Sequence, residues 1–169
     1  MLSNIPRPAV WLGFAGLIPF YLCAAAVWLL PLPANVYALQ VQMLYAATIL
    51  SFLGAVHWGL ALANYGGAPP SPDNPAPAMG WERLGWSVVP PLVAWVAVAL
   101  TAVPGLVTFM IAFAAMLAGD TVAARMGRAP LWYIPMRRVL TALVILALAI
   151  SLAKVLAGFG LSGAAPDAG

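Results

Sequence analysis

The chain has 169 residues, of which 64% are hydrophobic and only 7% charged, with mean hydropathy +1.00. Soluble domains carry about a quarter charged residues, and a small soluble fold leaves too much surface exposed to hide this much apolar side chain; lipid is the matching solvent, and the length fits one domain. The net charge of +3 does not describe a nucleic-acid binder: four of the seven basic residues (Arg125, Arg128, Arg137 and Arg138) fall in one short segment, and no basic stripe is interleaved with aromatics.

In chain order, five segments have the roughly 20 apolar residues that span a hydrocarbon core. The first is 9–30, closed by Pro31 and Pro33. At 22 residues it is too long for a signal-peptide core, so it reads as a retained helix, with Pro19 as its kink. Cys23, the single cysteine, lies inside it. One thiol excludes an intrachain disulfide and a cysteine zinc site, and leaves a small packing residue. The second span is 41–63, ended by Asn64 and Gly66-Gly67. The segment 64–80 holds Pro69, Pro70, Pro72, Pro75 and Pro77 and reads as a flexible or polyproline-like loop. Trp81, Glu82 and Trp86 suggest an interfacial lead-in to the third span, 84–103, which carries Pro90-Pro91. Pro104-Gly105 is read as the turn into the fourth span, 106–125. A loop mixing arginines with Trp132 and Tyr133 precedes the fifth span, 139–159. The prediction is a single all-α membrane domain over 1–169, a polytopic bundle of about five transmembrane helices.

Charge sets the expected orientation. With the N-terminus inside, Arg7, Arg83, Arg125, Arg128, Arg137 and Arg138 all fall on the inner side. Lys154 alone lies in the outer part of the fifth span, where it can snorkel. This bias places the N-terminus in the cytoplasm, or in the matrix of a mitochondrion.

Two polar or small-residue patterns stand out. Ala47, Ser51, Ala55, Gly59 and Ala63 recur every four residues along the second span. Such a stripe lets helices approach closely in lipid. It is read first as packing within the bundle and second as a docking face for another subunit. His57, the only histidine, and Asp120 fall at similar depth near the inner ends of the second and fourth spans. An ionisable group in a membrane costs roughly 2.5–3.5 kcal/mol on insertion scales and usually has a partner. A His57–Asp120 pair serves either as a structural clamp or as a proton relay or ligand site. Asp120 paired instead with Arg125, Arg137 or Arg138 is the competing arrangement. Copper held by His57 with Met43 or Met116 lacks a close methionine pair, so no metal and no cofactor is called for. There is no nucleophile–base–acid set, no phosphate loop and no HExxH, so no enzyme is expected.

Leu12-Gly13-Phe14-Ala15-Gly16-Leu17-Ile18-Pro19-Phe20, Ile49-Leu50-Ser51-Phe52-Leu53-Gly54-Ala55-Val56-His57-Trp58-Gly59, Ser87-Val88-Val89-Pro90, and then Pro130, Trp132-Tyr133, Arg137, Leu140 and Thr141 occur in this order. Together they resemble the domain of unknown function 3429 family over nearly the whole chain, most specifically around His57. The resemblance implies a bacterial inner membrane, with the mitochondrial inner membrane as the eukaryotic counterpart. It adds weight to His57, Asp120 and Arg137 and brings no activity with it. The expected function is a non-enzymatic accessory or assembly component of an inner-membrane complex. The alternative is a small transporter or ligand-binding membrane protein using a His57/Asp120 polar site. The expected partners are the lipid bilayer and subunits of a larger membrane complex, not nucleic acid.

Overall fold

The computed structural model describes residues 7–65, 81–126 and 133–158. Most of the proline-rich loop at 64–80, Arg128, and the segment after Gly158 lie outside the described residues. Among the described residues, six helices make up the bundle: α1 Arg7–Ala15, α2 Ile18–Leu29, α3 Ala34–Tyr65, α4 Trp81–Ala99, α5 Ala102–Arg125 and α6 Tyr133–Leu156. From α2 onward, helices adjacent in sequence pack side by side; α6 closes the ring against α2, α3 reaches across to α5, and α1 touches α6. Arg7–Leu29, Ala34–Leu62, Ala102–Arg125 and Tyr133–Leu156 are each long and apolar enough to cross a membrane. The remaining predicted span, in α4, is a shorter apolar helix over Leu84–Ala99.

The prolines decide where the helices start and stop. The first span is two helices broken at Gly16-Leu17, with Pro19 in the first turn of α2. A proline removes one backbone bond and crowds the preceding turn. At the break, Tyr45 on α3 donates its hydroxyl to the Gly16 carbonyl at 3.0 Å. The expected turn at Pro104-Gly105 is corrected: the chain turns at Leu100-Thr101, and Pro104 sits in the first turn of α5. There its missing N–H would have had no helical partner. Pro135 is likewise in the first turn of α6, so this helix begins at Tyr133 rather than at 139. Arg137 and Arg138 are therefore helical residues and not part of a loop. α3 begins at Ala34, seven residues before the expected boundary, and at 32 residues is about 48 Å long. Pro90 and Pro91 lie inside α4 as predicted.

Phe20, Leu50, Leu106, Phe109, Phe113 and Leu148 are fully buried and form the centre of the bundle. Phe20 meets Tyr45 and Phe113 edge-on, with ring centroids 5.0 and 6.3 Å apart. Met43, Met116 and Ala46 fill the remaining space, while Cys23 is half-buried on α2. In lipid, burial of oily side chains gives no driving force, so such interdigitation and close backbone approach must hold the helices together. Gly54 provides one approach: a β-carbon there would stand 2.5 Å from the Ser87 carbonyl oxygen and 3.2 Å from Pro91. Gly119 provides another, lying under the Trp86 ring. Trp86 is thus a packing residue of α4, not only part of an interfacial lead-in. At the far end of α2 and α6, Trp28 donates to the Ile150 carbonyl at 2.9 Å, and Lys154 stands 5.2 Å from the centroid of the Trp28 ring.

Candidate functional site

Three helices bring their ionisable groups together at one end of the bundle. His57 comes from the last third of α3, Asp120 from the last turns of α5, and Arg137 from the second turn of α6. Asp120 lies between the other two. Its Oδ2 accepts from Arg137 Nε at 2.7 Å. Its Oδ1 is 2.8 Å from His57 Nε2. A carboxylate ion-paired to a guanidinium can only accept, so His57 presents its Nε2–H. The side chains of Asp120, Arg137 and His57 retain 3%, 7% and 12% of their full exposure. The two alternatives that the sequence left open are therefore both realised: Asp120 pairs with His57 and with Arg137. Arg125 and Arg138 are exposed.

The pairing uses little of the guanidinium. An arginine that meets a carboxylate as a two-pronged fork commits two N–H groups to it. Here Nε alone bonds Asp120, at Oδ2, while His57 holds Oδ1. Arg137 Nη2 is buried and has no hydrogen-bond partner among the described residues. The Tyr133 ring lies 5.9 Å from the guanidinium carbon.

Thr141, one turn further along α6, was not singled out as a site residue by the sequence. It is buried, and its Oγ1 also has no partner among the described residues. Four other helical hydroxyls behave differently. Thr48, Thr108, Thr121 and Ser151 each donate to the carbonyl four residues earlier on their own helix. That local bond is the usual fate of a hydroxyl inside a membrane helix, and Thr141 does not make it. Arg137 and Thr141 both line a cavity of about 140 Å³ enclosed by α1, α2, α3, α5 and α6. Gln42 was also missed: it is fully buried, donating to the Phe20 carbonyl at 3.0 Å while its Oε1 has no partner among the described residues. The signal available for it was a polar amide inside an apolar run next to a span broken by Pro19.

The small-residue stripe is not where the helices approach. Ala47 and Ser51 are half-buried, but Ala55 and Gly59 are exposed. A β-carbon on Gly59 would have nothing within 4 Å. The reading of this stripe as internal packing is corrected at Ala55 and Gly59. The four-residue repeat slips around the helix as it advances, so its lower half turns outward while Gly54 makes the contact with α4. Ala63 lies further along the same helix.

Residues 5–153 match the family described as Protein of unknown function (DUF3429). The chain belongs to that family. Curated relatives include Transmembrane protein 69 of Xenopus tropicalis, 42% identical over 102 residues, covering 57% of this chain and 34% of the relative. Transmembrane protein 69 of Mus musculus is 33% identical over 88 residues, covering 52% of this chain and 36% of the relative. The matched part is thus about a third of the length of these relatives. No solved structure matches the chain. Family, relatives and apolar helices agree on a membrane protein of the DUF3429 family.

Proposed function

We propose that this DUF3429 protein is a small, non-enzymatic ligand-binding membrane protein, with His57, Asp120 and Arg137 as its polar site. One observation carries the reading. Two buried polar atoms, Arg137 Nη2 and Thr141 Oγ1, lack partners among the described residues, and both residues line the same cavity. A cluster that served only to clamp helices would be expected to satisfy its donors internally, since a buried donor without a partner costs about 1–3 kcal/mol. The positive-inside bias supports a site at the cytoplasmic face of a bacterial inner membrane, or at the matrix face of a mitochondrial one.

The accessory or assembly role is the second reading. It is supported by the exposed Ala55 and Gly59, a small-residue surface open to a neighbouring helix.

Gentle extraction from the native membrane, with mass spectrometry of both small molecules and proteins that come along, separates the two. A small molecule retained by the wild type and lost in Arg137→Gln supports the ligand reading. A protein lost on Gly59→Leu, with the small molecule unaffected, supports the accessory reading. If nothing is retained by the wild type, neither stands.

A further inference from the structure

The buried cluster leaves two arginines over. Arg137 is spent on Asp120, whereas Arg125, the last residue of α5, and Arg138, near the start of α6, are exposed. Neither pairs with a carboxylate among the described residues. Asp120 is the one acidic residue whose side chain is described, and both of its oxygens are taken.

Helix geometry puts both arginines on one seam. Each residue turns about 100° around its helix. Arg138 is one step past Arg137, and Met136, one step the other way, faces Gly13 of α1. Arg138 is therefore turned away from α1 and toward α5. Arg125 is five steps past Asp120, a net turn of about 140° round α5. Gly119, one step the other way from Asp120, lies under Trp86 of α4. Arg125 is therefore turned away from α4 and toward α6. The Asp120–Arg137 bond pins these two helices at this level, so both arginines border the outer edge of the α5–α6 seam.

Depth and charge decide what meets them. α6 has 24 residues and is long and apolar enough to cross a membrane. At about 36 Å it exceeds a hydrocarbon core of about 30 Å by only about 3 Å at each end. Arg138 stands about 7.5 Å from the start of α6, so its backbone lies just inside the hydrocarbon on the outward face of the bundle. A charge there is costly, and its long side chain relieves the cost by reaching the headgroups. The anion available at that level is the phospholipid phosphate. The pair carries two positive charges with Asp120 already neutralised, so a third cation on the headgroup, as in choline or ethanolamine, is disfavoured. Toward the middle of the membrane the seam presents exposed Ala114, Ala118 and Ala142, small side chains that leave room for an acyl chain.

We propose that Arg125 and Arg138 hold the phosphate of an anionic phospholipid seated on the α5–α6 seam, with an acyl chain lying against Ala114, Ala118 and Ala142. Guanidinium suits this role because its fork of N–H donors matches phosphate oxygens. The site is separate from the buried cluster and does not rest on the ligand-binding reading above.

The test measures lipid retained by the full chain in detergent, by native mass spectrometry, as phosphatidylglycerol or phosphatidylcholine of equal chain length is titrated in. The wild type should hold phosphatidylglycerol at least about fivefold more tightly. Arg125→Gln and Arg138→Gln should each weaken that binding about fivefold, the value of one basic residue at an anionic surface, and leave phosphatidylcholine unchanged. Arg7→Gln is the control. Arg7 is also exposed, but it lies on α1, from which Arg138 is turned away. Its loss should change nothing. In lipid-free detergent all three variants should melt with the wild type, because none of these side chains is buried, and this separates a lost site from a lost fold. Equal retention of the two lipids would overturn the proposal. An effect of Arg7→Gln as large as that of Arg138→Gln would also overturn it, since the attraction would then be diffuse charge and not a site. Competition by glycerol 3-phosphate as effective as by phosphatidylglycerol would show that a soluble anion is held and would overturn the lipid as occupant.

Discussion

Two faces of α3 carry similar residues and do opposite things. One face presents Leu50, Gly54 and His57 inward: Leu50 to the core, Gly54 to the backbone of α4, and His57 to Asp120. The other presents Ala55 and Gly59 outward, with nothing within 4 Å of a β-carbon built on Gly59. Both faces are small-residue and apolar in the sequence. What separates them is a buried polar group. An ionisable side chain in a membrane needs a partner, so His57 fixes which side of the helix looks inward, and Gly54, three residues earlier, shares that side. A stripe of small residues has no such requirement and is equally stable against lipid.

The most damaging way to break the inward face is to remove its hub. Asp120→Ala leaves a buried guanidinium and a histidine without their acceptor, and losing one partner of a buried ion pair costs about 3–5 kcal/mol. Failure to accumulate in the membrane, or a large fall in Tm in detergent, is the expected outcome. A variant as stable as the wild type would mean that the cluster is solvated rather than buried. Gly54→Leu should come next, at about 1–3 kcal/mol. The first atom met is the Ser87 carbonyl oxygen, backbone that cannot swing aside, in the turn before Pro90 and Pro91. Chemical or thermal denaturation in detergent measures it; indifference to Gly54→Leu would place α3 and α4 further apart than described.

The sequence made some of this legible and hid the rest for physical reasons. His57, Asp120 and Arg137 were each readable, because a charge or an imidazole inside an apolar run must be explained. Their meeting was not, since it depends on α5 packing between α3 and α6, and helix adjacency leaves no local mark. Arg137 was further disguised by Pro135, which looks like a loop residue but sits in the first turn of α6, where a proline costs little. The same ambiguity misplaced the turn at Pro104. Thr141 took part in the family resemblance but carried no mark of a site: a threonine in a membrane helix ordinarily bonds its own backbone, as Thr108 and Thr121 do here. The proline at position 19, by contrast, marked a kink in the first span, which the structure turns into a full break between α1 and α2.

His57→Ala tests the cluster more gently. His57 is less buried than Asp120 and contributes one hydrogen bond, while Arg137 remains to hold the carboxylate. A loss of about 1–3 kcal/mol is expected. Combined with Asp120→Ala, the two losses should be less than additive, because the second change removes an interaction already gone. Strict additivity in a double-mutant cycle would mean that the 2.8 Å contact carries no coupling.

The smallest effect belongs to the outward face and is the sharpest test of the comparison. Gly59→Leu adds a large side chain where nothing stands within 4 Å. Within the isolated chain it also replaces a glycine in a helix interior, which favours the helix. Stability in detergent should therefore hold or rise, by at most about 1 kcal/mol. In the native membrane the same variant has a second readout. If a neighbouring helix uses Ala55 and Gly59 to approach closely, leucine would hold the two backbones apart, and the native-membrane complex would be lost on native electrophoresis while the purified chain stays folded. If the face meets only lipid, leucine is as compatible with the bilayer as glycine, and neither readout moves. A substantial loss of stability in the purified chain would contradict both, since it requires an inward contact at Gly59. That result would return the stripe to the interior of the bundle and would rotate α3 enough to withdraw His57 from Asp120. The inward and outward faces of α3 thus stand or fall together on a substitution expected to do almost nothing.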